Sequence, residues 1–431
     1  MFSPRFLVVA AFSSTLVRFC GARPQPSTRR SELANSSTSG KYVVAHHIVG
    51  NTYDYTTDDW SSDIQLAYDC GLDGFALNVG SDYWESSYVA DAYTAAEDLG
   101  LNFKLFISFD MTSLAFNTVD DAAALRDYVT SYASNDYQLK INDHILITTF
   151  AGSDCTIQYI PGDLNQPIFD SAITSELKEY LEDLTSSDGV ITYIAAVSPW
   201  LFTHYGVDSY DKNPLLHRDV FTTPDCMKSW VQFIYLADYH LWNARWETII
   251  ENRDDVDIVE IPTWNDYGES HYIGPIEGDQ PNSQDWVDVM PHEGWLAMLD
   301  DYATVFRSGI YPEITEDQLY IWARPHPKLA TASDDSVGDP TNYQLMEDVL
   351  WAAVFAKASA TVELTTSVTT TITVPSGVAK TYMVLATGYG MSGKIIRDDD
   401  TVVSVDPGDA YTFEADPEYY NLNAYVAYAK A

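Results

Sequence analysis

Basic residues are scarce in this chain: 23 Lys and Arg stand against 63 Asp and Glu over 431 residues, a formal net charge of -40. So negative a surface repels nucleic acid and anionic membranes and excludes both as partners. It suits a soluble protein that meets a neutral polymer. Cysteine is almost missing as well. Of the four, Cys20 is expected to leave with the N-terminal signal segment, which leaves Cys70, Cys155 and Cys226. An odd number leaves at least one thiol unpaired, and the spacing fits no metal site. Cys70, at the apolar end of a helical pattern, reads as a small buried hydrophobe; a Cys155–Cys226 disulfide stays open. Beyond residues 6–17 there is no long apolar run, so nothing in the mature chain is expected to span a bilayer. Nor does a glycine-rich phosphate loop follow the first strand run, which counts against a dinucleotide-binding fold.

What is present begins with the N-terminus. Arg5 precedes the apolar stretch, and the small residues Gly21 and Ala22 follow it. The pattern is that of a secretory signal peptide over residues 1–22, too short and too polar downstream for a spanning helix. Residues 23–40, rich in Pro, Ser and Arg, are expected to be a disordered linker. Arg29-Arg30 reads as a processing site and Asn35-Ser36-Ser37 as a glycosylation sequon. The expected location is therefore secreted, extracellular or cell wall. The 30 Tyr and 11 Trp suit carbohydrate contact, although most of them belong in a core.

From residue 41 apolar runs alternate with amphipathic patterns. Strands are expected at 42–49, 74–79, 103–109, 144–150, 190–197 and 257–263. Helices are expected at 60–70, 88–99, 122–134, 171–184, 230–252 and 295–307. Continuous apolar strands alternating with helices argue for a parallel sheet, closed as a barrel or doubly wound. His46, Asn78, Asp110, Trp200 and Asp266 all fall at or just after a strand's C-terminal end, which favours the active face of a (β/α) barrel over residues 41–317. From about Gln318 the texture changes. Thr/Val/Tyr runs at 361–374, 381–387, 411–415 and 422–429 separated by turn residues read as a C-terminal antiparallel β-sandwich, residues 318–431. In the Pro- and Arg-rich link between the two, Arg324 is expected in a structural ion pair.

The segment DIVEIPTWNDYGESHYIGP, residues 257–275, carries the chemistry. A buried strand stops at Pro262 and gives way to Trp264, Asn265, Asp266, Tyr267, Glu269, His271 and Tyr272. Two carboxylates just past a strand end, among aromatics for sugar faces and amides for hydroxyls, are what acid/base cleavage of a glycosidic bond requires. The competing reading is a loop of solvated acids in an acidic protein. The coincidence of buried strand, aromatic density and paired acids favours the first.

Several runs, among them VVAHHIVGNTYDYTTDDW, DGFALNVGSDYW, FKLFISFDM, TFAGSD, VSPWLFTHY, TWNDYGESHYIGP and WARPHPKLATASDD, resemble glycoside hydrolase family 71, the fungal α-1,3-glucanases, in family order from residue 41 to the C-terminus. The resemblance implies a (β/α)8-type barrel with an appended β-sandwich. It also implies inverting hydrolysis of α-1,3-glucan, with no metal and no organic cofactor. Asp266 and Glu269 match the family's catalytic pair and Asp110 a third functional carboxylate. His46, Asn78, Trp200, His204, Trp264 and His271, with Asn265 beside them, fall where a sugar-binding cleft is expected. An oligomer is not indicated, so a monomer is expected.

The departure from the family is internal. Only about six barrel strands are recognisable, and fewer than fifty residues separate Phe150-Ala151-Gly152 from Ser198-Pro199-Trp200, where the family runs to about twice that length. Two βα units look absent, and residues 214–231, with Cys226, match nothing in the family. The explanations are, in order, a coding sequence with an exon lost and an intron read through, a decayed gene, and real divergence. Each leaves either an open barrel with exposed edges or a strained smaller closure. Intact acids favour an enzyme; a missing cleft wall favours a glucan-binding relative without catalysis. A structural cell-wall protein is the third reading.

Overall fold

The computed structural model describes residues 6–10, 40–115, 119–141, 144–150, 194–205, 239–278, 280–340 and 343–431. In chain order the first half contains β1 (Phe6–Ala10), β2 (Tyr42–Ile48), α1 (Thr57–Asp69), β3 (Gly74–Val79), α2 (Glu85–Leu99), β4 (Lys104–Asp110), α3 (Val119–Tyr132), β5 (Lys140–Ile141) and β6 (His144–Phe150). It continues with β7 (Ile194–Ala196), α4 (Leu241–Glu251), β8 (Ile258–Pro262), α5 (Gln284–Val287) and α6 (Glu293–Ser308). Each of the six expected strand runs contains a strand. The expected helix at 171–184, and Cys155 and Cys226, lie outside the described residues. Cys70 is buried and in no disulfide among the described residues.

The strands form one sheet in the order β1-β6-β4-β3-β2-β8-β7, all parallel, with the short β5 running antiparallel beside β6. The first long strand pairs with the last (Tyr42 with Ile258, Val44 with Glu260), as in a barrel that has come round on itself. Closure is not completed among the described residues: the path ends at β7 on one side and β1 on the other. Among the described residues the sheet is a curled half-barrel whose path runs from β6 round to β7; residues 151–193, between those two strands in the chain, lie outside the described residues. Phe6–Ala10, inside the expected signal segment, lies parallel to β6 from Ile145 to Thr149. While attached, it covers that edge.

Alternation along the strands sorts two interiors. Val43, Ala45, Phe75, Leu77, Leu105, Ile107, Val259 and Ile261 pack outward in the core beneath the helices. Val44, Ala76, Phe106, Leu146, Ile194 and Ile258 pack in a separate inner cluster. Helix ends follow local rules: Thr56 and Asp59 form a capping box on α1, and α2 stops at Gly100 in the left-handed region (φ 62°).

The C-terminal part contributes β9 (Gln318–Ala323), β10 (Val349–Ala356), β11 (Ala360–Thr365), β12 (Thr369–Val374), β13 (Gly377–Val384), β14 (Ser392–Arg397), β15 (Asp400–Val405) and β16 (Tyr425–Lys430). They form two four-stranded antiparallel sheets, β13-β10-β9-β16 and β12-β11-β14-β15. Leu319, Ile321, Leu350 and Val354 of the first meet Val362, Leu364, Ile395 and Val403 of the second. The run 411–415 is not a strand. Tyr411 and Phe413 are buried, but the backbone there pairs with loops, Phe413 N–H with the Tyr389 carbonyl and Glu414 N–H with that of Pro325, so no ladder forms. Arg324 is buried and structural, bound to the Glu347 carbonyl and 3.5 Å from Asp348.

Candidate active site

One step toward the C-terminal ends of the parallel strands, the inner face turns polar. His46, Asn78, Ser108, Thr148 and Glu260 lie there on five strands, all buried but for the partly exposed His46. His46 Nδ1 is 2.8 Å from Glu260 Oε1, and the Asn78 amide donates to the Ser108 carbonyl at 3.5 Å. Asp110 ends β4. Its Oδ1 accepts from the Thr112 N–H at 2.9 Å and the Thr112 hydroxyl at 2.6 Å, which fixes the carboxylate at the rim. A polar layer at this end of a parallel barrel sheet is where such folds place their chemistry.

The loop after β8 folds back over that layer. The Trp264 N–H donates to the His46 carbonyl at 2.6 Å, Thr263 N–H to His271 at 2.7 Å and Ile273 N–H to Thr263 at 3.0 Å. Within this hairpin the His271 N–H bonds the Asp266 carbonyl at 2.7 Å, and Ser270 takes φ 55° to close the turn. The Thr263 hydroxyl receives the Asp266 N–H at 2.7 Å, and Asp266 Oδ1 receives the Glu269 N–H at 3.1 Å. The two acids thus emerge on one side. His271 Nδ1 lies 3.8 Å from Asp266 Oδ2 and 3.5 Å from Glu269 Oε2, and side-chain exposure rises from 4% for His271 to 20% for Asp266 and 52% for Glu269. Burial, and then the His46 charge, hold the His271 imidazole well below its ordinary pKa, so it is neutral at neutral pH. One ligand atom from each of the three lies within 4.8 Å of the others, a set that could hold a divalent cation.

Of the residues singled out from the sequence, Asp266, Glu269, His271 and His46 come together, with Asn78 and Asp110 at neighbouring strand ends. Four others are turned to packing or bracing. Trp264 is 1% exposed, its ring centroid 5.1 Å from that of Phe75. The Asn265 amide is fully buried, accepting from Ile48 N–H at 2.7 Å and donating to the Ile48 carbonyl at 2.9 Å, so it extends the sheet in place of backbone. Trp200 stacks on Trp295 and donates to the Leu422 carbonyl at 3.0 Å. His204 Nε2 sits 2.6 Å from Asp335 in the link to the sandwich. None of the four offers an open face to the mouth.

Two buried acids had escaped notice. Glu260 is the single charge in an otherwise apolar strand, on the inward parity, which is a readable signal. Glu85 starts α2 and is 3% exposed; its carboxylate accepts the Gly80 N–H. Burial pushes it up to about 7, opposed by that N–H and reinforced by the charges of Asp82 and Asp110. An acid in a first helical turn ordinarily faces water, so nothing local marks it.

Comparison with known proteins fits this geometry. The chain is 32% identical to the glucan endo-1,3-alpha-glucosidase agn1 of Schizosaccharomyces pombe over 442 positions, covering 92% of this chain and 96% of that protein. It is 29% identical to the mutanase Pc12g07500 of Penicillium rubens, covering 93% and 91%. It is 31% identical to the ascus wall endo-1,3-alpha-glucanase of S. pombe, covering 75% and 81%. Among solved structures, a GH99 endo-alpha-mannosidase from Bacteroides thetaiotaomicron superposes with a TM-score of 0.38 at 8% identity, over 62% of this chain and 97% of that one, too loosely to carry weight. The model of glycosyl hydrolase family 71 matches residues 39–166 and 170–431. With both sheet systems inside the match, the chain belongs to glycosyl hydrolase family 71.

Proposed function

We propose that this protein is a secreted hydrolase that cleaves α-1,3-glucosidic bonds in cell-wall α-1,3-glucan by an inverting acid/base mechanism. The observation that carries the reading is the convergence of Asp266, Glu269 and His271 at the C-terminal mouth of the parallel sheet. Cleavage through an oxocarbenium-like transition state needs a proton on the leaving oxygen and a water activated on the opposite ring face. An inverting pair stands roughly 6.5–9.5 Å apart to seat that water. One carboxylate oxygen of Asp266 and one of Glu269 lie within 4.8 Å of each other, so the two acids stand side by side on one loop. The reading therefore gives the proton-donating side to the Asp266–Glu269 pair, with neutral His271 behind it, and the water-activating base to Asp110 at the end of β4. His46, held by Glu260, and Asn78 are the polar groups best placed for substrate hydroxyls.

Asp266→Asn and Glu269→Gln are each expected to abolish release of reducing ends from insoluble α-1,3-glucan while leaving the circular dichroism unchanged. Near-wild-type activity in either variant removes that residue from the mechanism. The anomer first released, followed by NMR, must be inverted; a retained product sinks the Asp110 assignment. The open side of the sheet favours one second reading, a glucan-binding protein with impaired catalysis. Co-sedimentation with the glucan but no soluble product from the wild-type chain would support it.

A further inference from the structure

Two loops on the rim carry aromatic side chains that the core does not use. Tyr53, just after the turn Val49–Asn51 that ends β2, is 49% exposed, and Tyr83, in the β3–α2 loop, is 89% exposed. Trp84 joins them, half-buried, with its ring centroid 5.2 Å from Tyr53 and 4.9 Å from Tyr88 in edge-to-face geometry. The Tyr88 hydroxyl donates to the Tyr53 carbonyl, so the two loops are tied to each other. They are tied to the site too: the Asn51 amide donates at 2.9 Å to the carbonyl of Asn265, the residue before Asp266.

The arrangement is held rigidly. Glu85, next to Trp84, takes the Gly80 N–H and closes the loop on itself. Gly80 has no room for a side chain, since a Cβ there would lie 3.0 Å from Ser113 Oγ and 3.1 Å from Glu85 Oε1. Its place in the sheet matters as well. β2 and β3 lie in the middle of the path β6-β4-β3-β2-β8-β7, away from its ends. Large rings left in water beside a polar cleft, on a rigid loop pair, mark a binding surface. Aromatic rings with a polar tip suit a ligand that is apolar on one face and hydroxylated at its edge.

We propose that Tyr53, Tyr83 and Trp84 form a stacking platform that holds a glucosyl unit of the α-glucan chain some distance from the bond being cut. The proposal rests on the reading of the site as an α-1,3-glucanase and adds a second point of attachment. The test compares the wild-type chain with the double variant Tyr53→Ala/Tyr83→Ala and with Tyr53→Phe. Both side chains are solvent-exposed, so folding is checked simply by an unchanged melting temperature. The double variant should bind insoluble α-1,3-glucan about 3- to 10-fold more weakly in co-sedimentation, with KM raised by a similar factor. Its kcat should stay within about twofold, and Tyr53→Phe, which keeps the ring, should bind as wild type does. A wild type that cleaves the glucan alongside a double variant of unchanged affinity and KM overturns the platform alone. A wild type that neither binds nor cleaves takes down the site reading and the platform together.

Discussion

Strands β8, β2, β3 and β4 each have a parallel neighbour on both sides, in registers of five residues or more between β8 and β2, β2 and β3, and β3 and β4. Strands β6 and β7 lie toward the two ends of the sheet's path among the described residues. β7 holds β8 through three residues only, and β6 holds β4 through four, with Phe6–Ala10 on its other side. Every candidate acid stands on the doubly held part: Asp110 ends β4, Glu260 lies in β8, and Asp266 and Glu269 follow β8. A strand flanked on both sides has its position set twice, so groups at its tip are placed to within the tolerance that proton transfer demands. A strand with one neighbour gives less. The framework under the acids is therefore held on both sides among the described residues.

The sharpest way to break this contrast is to compare Asp110 with Phe150, which are paired across β4 and β6. Asp110→Asn should lower kcat on α-1,3-glucan by about 100-fold or more, while Phe150→Ala should alter it by about twofold or less. Equal losses would place the working cleft on the open side instead. Next in size is Trp264→Ala. Because the indole is buried beneath the loop and not presented to substrate, the loss should fall on stability, about 3–5 kcal/mol in urea unfolding, with KM of the remaining folded enzyme little changed. A selective rise in KM at full stability would return Trp264 to the cleft.

The smallest effect expected concerns Glu85, whose pKa is raised in the fold to about 7, chiefly by burial. A raised carboxyl leaves stability untouched at pH values below the unfolded-state pKa, where both states are protonated. As pH climbs from there through about 7, the unfolded chain gives up its proton more readily and the fold loses ground. Glu85→Gln should flatten that decline in the melting temperature, worth roughly 3 kcal/mol at most. Curves that remain parallel between pH 4 and 8 would show that the group ionises as freely in the fold as outside it.

Much of this molecule was legible as sequence because β-branched runs separated by amphipathic patterns admit few arrangements. The six strands and the place of the acids following Ile261 follow from such local signals. The pairing of β2 with β8 does not, since it joins residues more than two hundred positions apart through curvature that no local pattern carries. Nor does the fate of Trp264 and Asn265. An indole and an amide next to candidate catalytic acids look the same whether they face a sugar or brace a loop, and only the fold-back that sets Asn265 against Ile48 decides. The textural change near Gln318 was visible, but residues 411–415 look like a strand by composition and lack a partner to pair with.

Strand β9 is buried on both faces. Leu319, Ile321 and Ala323 belong to the sandwich interior, and Tyr320 and Trp322 to the core shared with the parallel sheet and its helices. It is a party wall, with furnished rooms on either side. A chain cut before Gln318 would yield neither half in finished form, because each would present to water the rings or branched side chains that the other had covered. The two halves therefore fold as one piece, and a change that unpacks β9 is felt in both.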